Sequence, residues 1–303
     1  MPFTTQVLAA SRPPESSVTS GDHGSRLSAR LSGALQRFAN RAHLRGDIGP
    51  REKIDFHCNV CGAACAALPD ALARERSSCR RCGSTVRTRT LVHLLTTELF
   101  GRSMTIPEMP LRRDLIGIGL SDTPHYADRL AEKLAYSNTF FHQEPRLDIS
   151  AVPERLAARY DFIIASEVFE HVAPPVSRAF ANARRLLKPH GVLIFSVPYT
   201  LEPETREHYP ELYNYRLVET GGEWRLENRT ADGRRQVFHD LVFHGGPGST
   251  LEMRLFSRSG LIREFAAAGF AGVRIAEEPR PDYGIVWPEP WSIPMVAYPT
   301  LDR

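Results

Sequence analysis

The run Phe162-Ile-Ile-Ala165, entered from Tyr160-Asp161 and broken abruptly by Ser166-Glu167, constrains this chain more than any other stretch. A continuous apolar run of this length suits a strand buried on both faces of a parallel sheet. The polar break then falls at the strand's C-terminal end, where open α/β sheets bind their ligands. Glu170 and His171 follow a few residues later. Taken alone, the stretch reads equally well as a buried strand running into a capped helix, and its neighbours decide between the two.

Those neighbours alternate. Asp114 to Leu120 reads as a strand entering a glycine turn at Gly117-Ile-Gly119, with Ser121 and Asp122 after it. Thr123-Pro124 reads as a helix start, because proline is pre-organised for the first helical position. The spacing predicts that helix to about Leu134, and then a short strand over Asn138–His142 with Glu144 and Asp148 beyond it. A helix over Ser177–Leu187, stopped by Pro189 and Gly191, leads to a buried strand over Val192–Val197. Strands alternating with helices imply a parallel, doubly wound Rossmann-like sheet with right-handed crossovers. A glycine turn after the first strand lets a ligand approach the backbone, and an acid at the end of the next strand can take both hydroxyls of a ribose.

Ahead of this lies Cys58-Asn-Val-Cys61-Gly62, then Cys79-Arg-Arg-Cys82-Gly83. Two residues between cysteines let one tight turn aim both sulfurs at one ion, and the following glycine permits that turn. The pattern predicts a four-thiolate Zn2+ site at Cys58, Cys61, Cys79 and Cys82, structural because all four positions are filled. Redox pairs or free thiols are the alternatives. Cys65 is left over and reads as a small buried residue. Arg80, Arg81, Arg87 and Arg89 read as a solvated face, with nucleic-acid contact the alternative. A helix is expected over Val86–Phe100, with Leu91, Leu94, Leu95 and Leu99 on one face and Gly101 ending it.

Residues 1 to about 24 read as a disordered leader. Over 25–45, Leu27, Leu31, Leu35 and Phe38 recur at helical spacing between arginines; the pattern reads as an amphipathic helix, with a targeting or membrane-surface segment as the alternatives. The expected organisation is therefore 1–50 leader and helix, 51–101 zinc segment and linking helix, and 102–303 main domain. Net charge is +3 with both signs spread along the chain, and the apolar fraction of 42% is ordinary. Neither argues for nucleic acid or a membrane surface as partner. No apolar run approaches the roughly 18 residues of a membrane span. Paired cysteines with metal spacing suit a reducing cytoplasm.

Four motifs carry a resemblance. Gly117-Ile-Gly119, Leu147-Asp148-Ile149, the block Tyr160–Val172, and Leu186-Leu-Lys-Pro-His-Gly-Val-Leu-Ile resemble the class I S-adenosylmethionine-dependent methyltransferases. Cys79 to Ser84, with Arg87 and Arg89, is similar to a bacterial branch that carries a zinc knuckle before the domain. The resemblance covers about 58–198 and extends to Phe256–Ile275. It implies a seven-stranded sheet with S-adenosylmethionine across its C-terminal edge. Gly117 and Gly119 would approach the methionine part, Glu144 the ribose, Asp148 and Ile149 the adenine, and Ser166 and Glu167 the floor beneath the sulfonium, with Ser121 also among the cofactor-binding residues. Leu115 stands where the family has an acid and Ser121 where it has a third glycine. The short segment before Asp148 implies that one helix–strand unit is trimmed.

From Tyr199 to about Leu255 the chain leaves the alternating pattern. An insertion of this length reads as functional, a β-rich lid over the C-terminal edge. A hairpin is expected over Trp224–Phe238 with Ala231-Asp232-Gly233 as its turn, and a final antiparallel strand over Ile293–Tyr298. Methyl transfer needs a positioned acceptor and, for many acceptors, a base. His171, Tyr199, His208 and His244 are the candidates, histidine because it titrates near neutrality. No Asn-Pro-Pro-Tyr-like acceptor motif occurs, which favours a small-molecule or glycan acceptor. RNA or protein methylation through the knuckle, and a zinc-dependent interaction module without activity, are the alternatives.

Overall fold

The computed structural model describes residues 52–301. The leader over 1–24 and the helix expected over 25–45 lie outside the described residues. Internal contacts divide the described chain into two units, Glu207–Met253 and the remainder, 52–206 with 254–301. No described helix is long and apolar enough to cross a membrane.

In the larger unit, β1 (Ile54–His57) and β2 (Ala64–Ala67) pair antiparallel, Ile54 opposite Ala67 and His57 opposite Ala64. The loop between them is the first cysteine turn. Gly62 adopts φ 72 and donates its N–H to the Cys58 carbonyl at 2.7 Å; Gly83 repeats the device with φ 74 and 2.8 Å to Cys79. Positive φ is why glycine closes each turn. Helix α1 (Val86–Phe100) starts on a Thr85–Thr88 capping box and ends where Gly101 adopts φ 68, as the sequence predicts.

The main sheet follows: β3 (Arg112–Leu120), α2 (Pro124–Lys133), β4 (Leu134–Thr139), β5 (Tyr160–Ser166), α3 (Ser177–Leu186) and β6 (Leu187–Ser196). After two-residue β7 (Tyr199–Thr200) and β8 (Arg206–Glu207) comes the insertion. It holds β9 (Asn214–Thr220), β10 (Glu223–Arg229), β11 (Arg235–Phe238), β12 (Phe243–His244) and β13 (Thr250–Leu251). The chain returns through β14 (Arg254–Ser257), α4 (Arg258–Ala267), β15 (Gly272–Ile275) and β16 (Met295–Tyr298).

The sheet order is β15-β16-β6-β5-β3-β4. β4, β3, β5 and β6 run parallel, while β16 is antiparallel to both of its neighbours. Phe162 and Ile164 enter one core with α1 and α2, whereas Ile163 and Ala165 enter the other with α3 and α4. This two-sided burial, on a period of two, is why the run is apolar throughout.

Six strands form this sheet among the described residues, against the seven that the resemblance implies. The connection over 140–159 carries only a single helical turn, Glu154–Leu156, so the trimmed unit lies beside β4, which stands at the sheet's edge. β4 also begins four residues before the expected Asn138 and ends at Thr139 rather than His142. Its last residue pairs with Leu120. Beyond that point Ser121 turns away with φ 57 and leaves no partner strand.

In the smaller unit, β9, β10 and β11 form an antiparallel meander, with Thr230 to Arg234 as the turn of the expected hairpin. Tyr209, Leu212, Leu226, Leu251 and Met253 are its core.

Candidate functional site

The four paired cysteines converge. Cys58 Sγ lies 3.6 Å from Cys82 Sγ, and Cys61 Sγ 3.7 Å from Cys79 Sγ. A tetrahedral zinc with bonds of about 2.3 Å requires sulfur–sulfur edges of about 3.8 Å, so these four residues fit the ion. Bound there, zinc would compensate four thiolates and fix both turns. The Ser84 hydroxyl lies 3.1 Å from Cys58 Sγ. Cys65 is half-buried, its sulfur 3.6 Å from Cys79 Sγ, which places it beside the cluster rather than in an unrelated core.

Arg89 departs from the expected solvated face. It is fully buried, donates to the Ser84 carbonyl at 3.0 Å and the Gly284 carbonyl at 2.9 Å, and lies over the Phe56 ring. Arg87 is also turned inward, its side chain 12% exposed. Arg80 and Arg81 are exposed as expected.

Parallel strands bring their C-terminal ends to one edge, and the polar residues predicted there collect in two groups. At the end of β3, the Ser121 N–H donates to the Thr139 carbonyl at 2.7 Å. Asp122 is latched to Asn138, whose side chain accepts from the Asp122 N–H at 2.9 Å and donates to the Asp122 carbonyl at 2.8 Å. Gly117 and Gly119 lie within β3 rather than in the turn. A Cβ on Gly117 would sit 2.1 Å from the Phe162 ring, and one on Gly119 would sit 1.9 Å from the Tyr136 hydroxyl. Both glycines therefore make room for aromatic side chains of the sheet's own core.

Asp122 was not singled out in the sequence, although it directly follows the turn. It is buried and accepts from the Tyr136 hydroxyl at 2.5 Å, and its Oδ1 has no hydrogen-bond partner. Burial pushes its carboxyl up to about 7, from an ordinary 3.8. Between those values the folded chain holds a proton that the unfolded chain releases, so this group lowers stability as pH rises from about 4 to about 7. Asp122→Asn is expected to remove that part of the slope, measured as urea midpoints at the two ends of the window. An unchanged slope would assign the pH dependence elsewhere.

The second group lies at the ends of β5 and β6. The Ser166 and Ser196 hydroxyls are 2.9 Å apart. Glu167 turns with φ 59, and its N–H donates to the Ser196 carbonyl at 2.8 Å. Its carboxylate accepts from both terminal nitrogens of Arg74, at 2.8 and 3.2 Å, and from the Ser196 hydroxyl at 3.0 Å. Burial alone would raise this carboxyl; the charge and hydrogen bonds of Arg74, with the charge of Arg87, hold it instead at about 2. Arg87 donates to the Ser166 hydroxyl and pairs side-on with Glu75 at 2.7 and 2.9 Å. The charge of Arg87 also acts on Asp122, which links the two groups. Arg74 and Glu75 carried no motif that could have flagged them.

The other predicted residues are more dispersed. Glu144 is exposed near the tip of a loop off the end of β4, closed by Phe140 N–H to Pro145 and Leu147 N–H to Phe140, both 2.9 Å. Asp148 accepts from the Ser150 N–H at 2.8 Å and from its hydroxyl at 2.7 Å; Ile149 is buried, its carbonyl held by Asn182 at 2.8 Å. His171 ends the short turn after β5, with Nε2 3.7 Å from Glu170. Tyr199 is buried, and burial raises its hydroxyl, which opposes its use as a base.

Within the insertion, His208 and His244 meet on one carboxylate. His208 Nε2 lies 2.9 Å from Glu252 Oε1, and His244 Nε2 3.0 Å from Oε2. Burial would raise Glu252, yet the hydrogen bonds from the two imidazoles hold it at about 2. A carboxylate that fixes two rings in this way also selects their tautomer. Glu252 was missed because nothing local ties it to histidines 44 and 8 positions away.

The family model described as a methyltransferase domain matches residues 110–275. A comparison with curated proteins finds no match. Among solved structures, the 1,6-didemethyltoxoflavin-N1-methyltransferase of Burkholderia thailandensis is 16% identical, TM-score 0.40, over 70% of this chain and 77% of that one. The amino pentose methyltransferase of calicheamicin biosynthesis from Micromonospora echinaspora is 15% identical, TM-score 0.38, over 72% and 93%. The citrinin polyketide synthase CMeT domain is 14% identical, TM-score 0.35, over 63% of this chain but 47% of its own. The family assignment rests on the family model, which spans more than half of the sequence and the whole region that carries the glycine strand and the acidic edge. The chain belongs to the methyltransferase-domain family.

Proposed function

We propose that the chain transfers a methyl group from S-adenosylmethionine to a small-molecule or glycan acceptor, and that its four paired cysteines hold a structural zinc ion. The observation that carries the first part is the family match over 110–275. The edge residues suit the cofactor: Glu167 is held ionised, Ser166 and Ser196 are polar, and Asp122 Oδ1 is a buried acceptor without a hydrogen-bond partner. When bound, the cofactor supplies a methyl already activated on sulfur. This chain's residues then bind, orient and move a proton.

The residues proposed to border the cofactor are Gly117, Gly119, Ser121, Glu144, Asp148, Ile149, Ser166 and Glu167. Glu252 holds both insertion histidines at Nε2. His244, 41% exposed against 12% for His208, is the proposed base. His171 and Tyr199 remain secondary candidates. A reducing cytoplasm is the proposed compartment, because free thiols persist there. Docking of RNA through the knuckle arginines is disfavoured by the burial of Arg89.

The test is calorimetric titration of the zinc-loaded protein with S-adenosylmethionine and S-adenosylhomocysteine, run in parallel on Glu144→Ala. Micromolar binding, weakened in the variant, is the expected result. No binding by folded protein would leave a zinc-dependent interaction module without activity. With an acceptor in hand, His244→Ala is expected to lower kcat by about 10²–10⁴-fold while cofactor affinity holds, the range for a lost general base. Unchanged turnover would remove His244 from the chemistry.

A further inference from the structure

We propose that Arg74 and Arg87 form a clamp for an anionic oxygen group, a carboxylate or phosphate, on the methyl acceptor, and that Glu75 is a resident carboxylate which leaves when that group arrives. The acceptor assignment rests on the methyl-transfer reading; the clamp's affinity for anions does not.

The two guanidiniums are anchored on one side and addressed on the other. Arg74 is fixed by Glu167 and by its Nε, which donates to the Ser292 carbonyl at 2.5 Å. Arg87 is fixed by the Ser166 hydroxyl. Those partners belong to the ends of the sheet and to the chain's C-terminal stretch, and they keep both arginines in place without Glu75. The remaining donors converge on Glu75, which accepts from Arg87 Nε and Nη2 at 2.7 and 2.9 Å and from Arg74 Nη1. Three guanidinium nitrogens on one carboxylate, two of them side-on, is the geometry in which arginine recognises carboxylate and phosphate groups.

Glu75 is held by the two arginines. It sits in a turn between β2 and α1, its side chain 50% exposed, against 18% for Arg74 and 12% for Arg87. With half of its side chain in water, Glu75 is the partner that can exchange for another anion while the two largely covered guanidiniums stay in place. Charge balance is also kept. Glu167, largely buried, offsets one guanidinium, and Glu75 offsets the second; an incoming carboxylate or phosphate replaces the latter charge for charge. The exchange takes place beside Ser166 and Glu167, at the strand ends where a sheet of this kind binds ligands.

Inorganic phosphate and succinate, titrated into the full zinc-loaded chain, are the probes. Glu75→Ala opens the clamp and is expected to bind both at least about tenfold more tightly than the wild type. Arg87→Lys in the Glu75→Ala background loses that gain, because lysine cannot pair side-on. Arg74→Lys serves the same purpose if the first variant does not fold, with zinc content and thermal melting as fold checks. Equal phosphate and succinate affinity in wild type and Glu75→Ala overturns the clamp. A second arm separates the acceptor from the cofactor's own carboxylate. S-adenosylhomocysteine and 5′-methylthioadenosine, which lacks that carboxylate, are titrated against wild type and Arg87→Lys. A change shared equally by both ligands, or no change in either, supports the acceptor clamp. Selective loss of S-adenosylhomocysteine gives the site to the cofactor and overturns it. If S-adenosylhomocysteine fails to bind the wild type, methyl transfer fails, while the phosphate titration still decides the clamp.

Discussion

Cys79→Ser is expected to release the metal and unfold the segment ahead of the main sheet. Cys58, Val60, Cys61, Leu72 and Cys79 are all at most 4% exposed, yet the strands over them are four residues each. So small a segment has little apolar area of its own, and the two cysteine turns bring together residues on either side of the stretch from 62 to 78. The apparent binding free energy of structural zinc is about 10–16 kcal/mol, as large as the whole stability of an ordinary domain, about 5–15 kcal/mol. Replacing one thiolate leaves an open coordination position and three crowded thiols, Cys58 and Cys61 buried and Cys82 half-buried, that cannot ionise together without the cation. The measurements are zinc per chain by mass spectrometry, and proteolysis of the purified protein. One zinc in the wild type, none in the variant, and new cleavage over 68–85 are expected. A wild-type chain that folds and carries no zinc would return the cysteines to the role of free thiols.

Gly117→Ala is expected to destabilise the main sheet by about 3 kcal/mol or more, the upper part of the range for overpacking a core. The new Cβ would lie 2.1 to 2.4 Å from three carbons of the Phe162 ring. That ring has nowhere to go. It is fully buried, lies directly opposite Gly117 in register, and stacks on Tyr136 with 5.9 Å between ring centres and 3° between planes. Urea unfolding followed by far-ultraviolet circular dichroism measures the cost. Phe162→Leu, combined with Gly117→Ala, should recover part of it, since the two changes share one contact. A loss under about 0.5 kcal/mol, the usual scale of surface changes, would mean that the ring is not held over the glycine.

These two positions show how differently the chain's residues disclose their work. The convergence of the four paired cysteines was legible, because two residues between thiols and a glycine after them are demands of one local turn. The glycines of β3 were legible as important, but only one reason for them was. A Gly-x-Gly after a strand start suggests ligand approach, and the structure adds a packing reason, since Phe162 from the adjacent strand and Tyr136 from β4 fill the space a Cβ would need. The positive-φ turn falls at Ser121, one residue after the strand ends.

Residues whose pattern repeats over a few positions were read correctly. The apolar run at Phe162 faces two cores, α1 begins and ends where its cap and Gly101 require, and the hairpin of the insertion turns at the predicted residues. Local sterics and hydrophobic periodicity decide such features, and both are written in consecutive residues. The candidate site is made otherwise. Arg74 reaches Glu167 across 93 positions, His208 reaches Glu252 across 44, and Arg89 reaches Gly284 across 195. A charged side chain pairs with whichever partner the backbone brings within about 3 Å, and no spacing rule ties the two. The sequence by itself therefore determined the alternating α/β order, the buried central strand and the four-cysteine set. Only the tertiary structure decided that the sheet has six described strands, that two arginines of the cysteine segment meet the strand ends, and that one buried glutamate joins two histidines. Ion pairs and packing between distant segments are set by where the sheet's edges and loops come together in space.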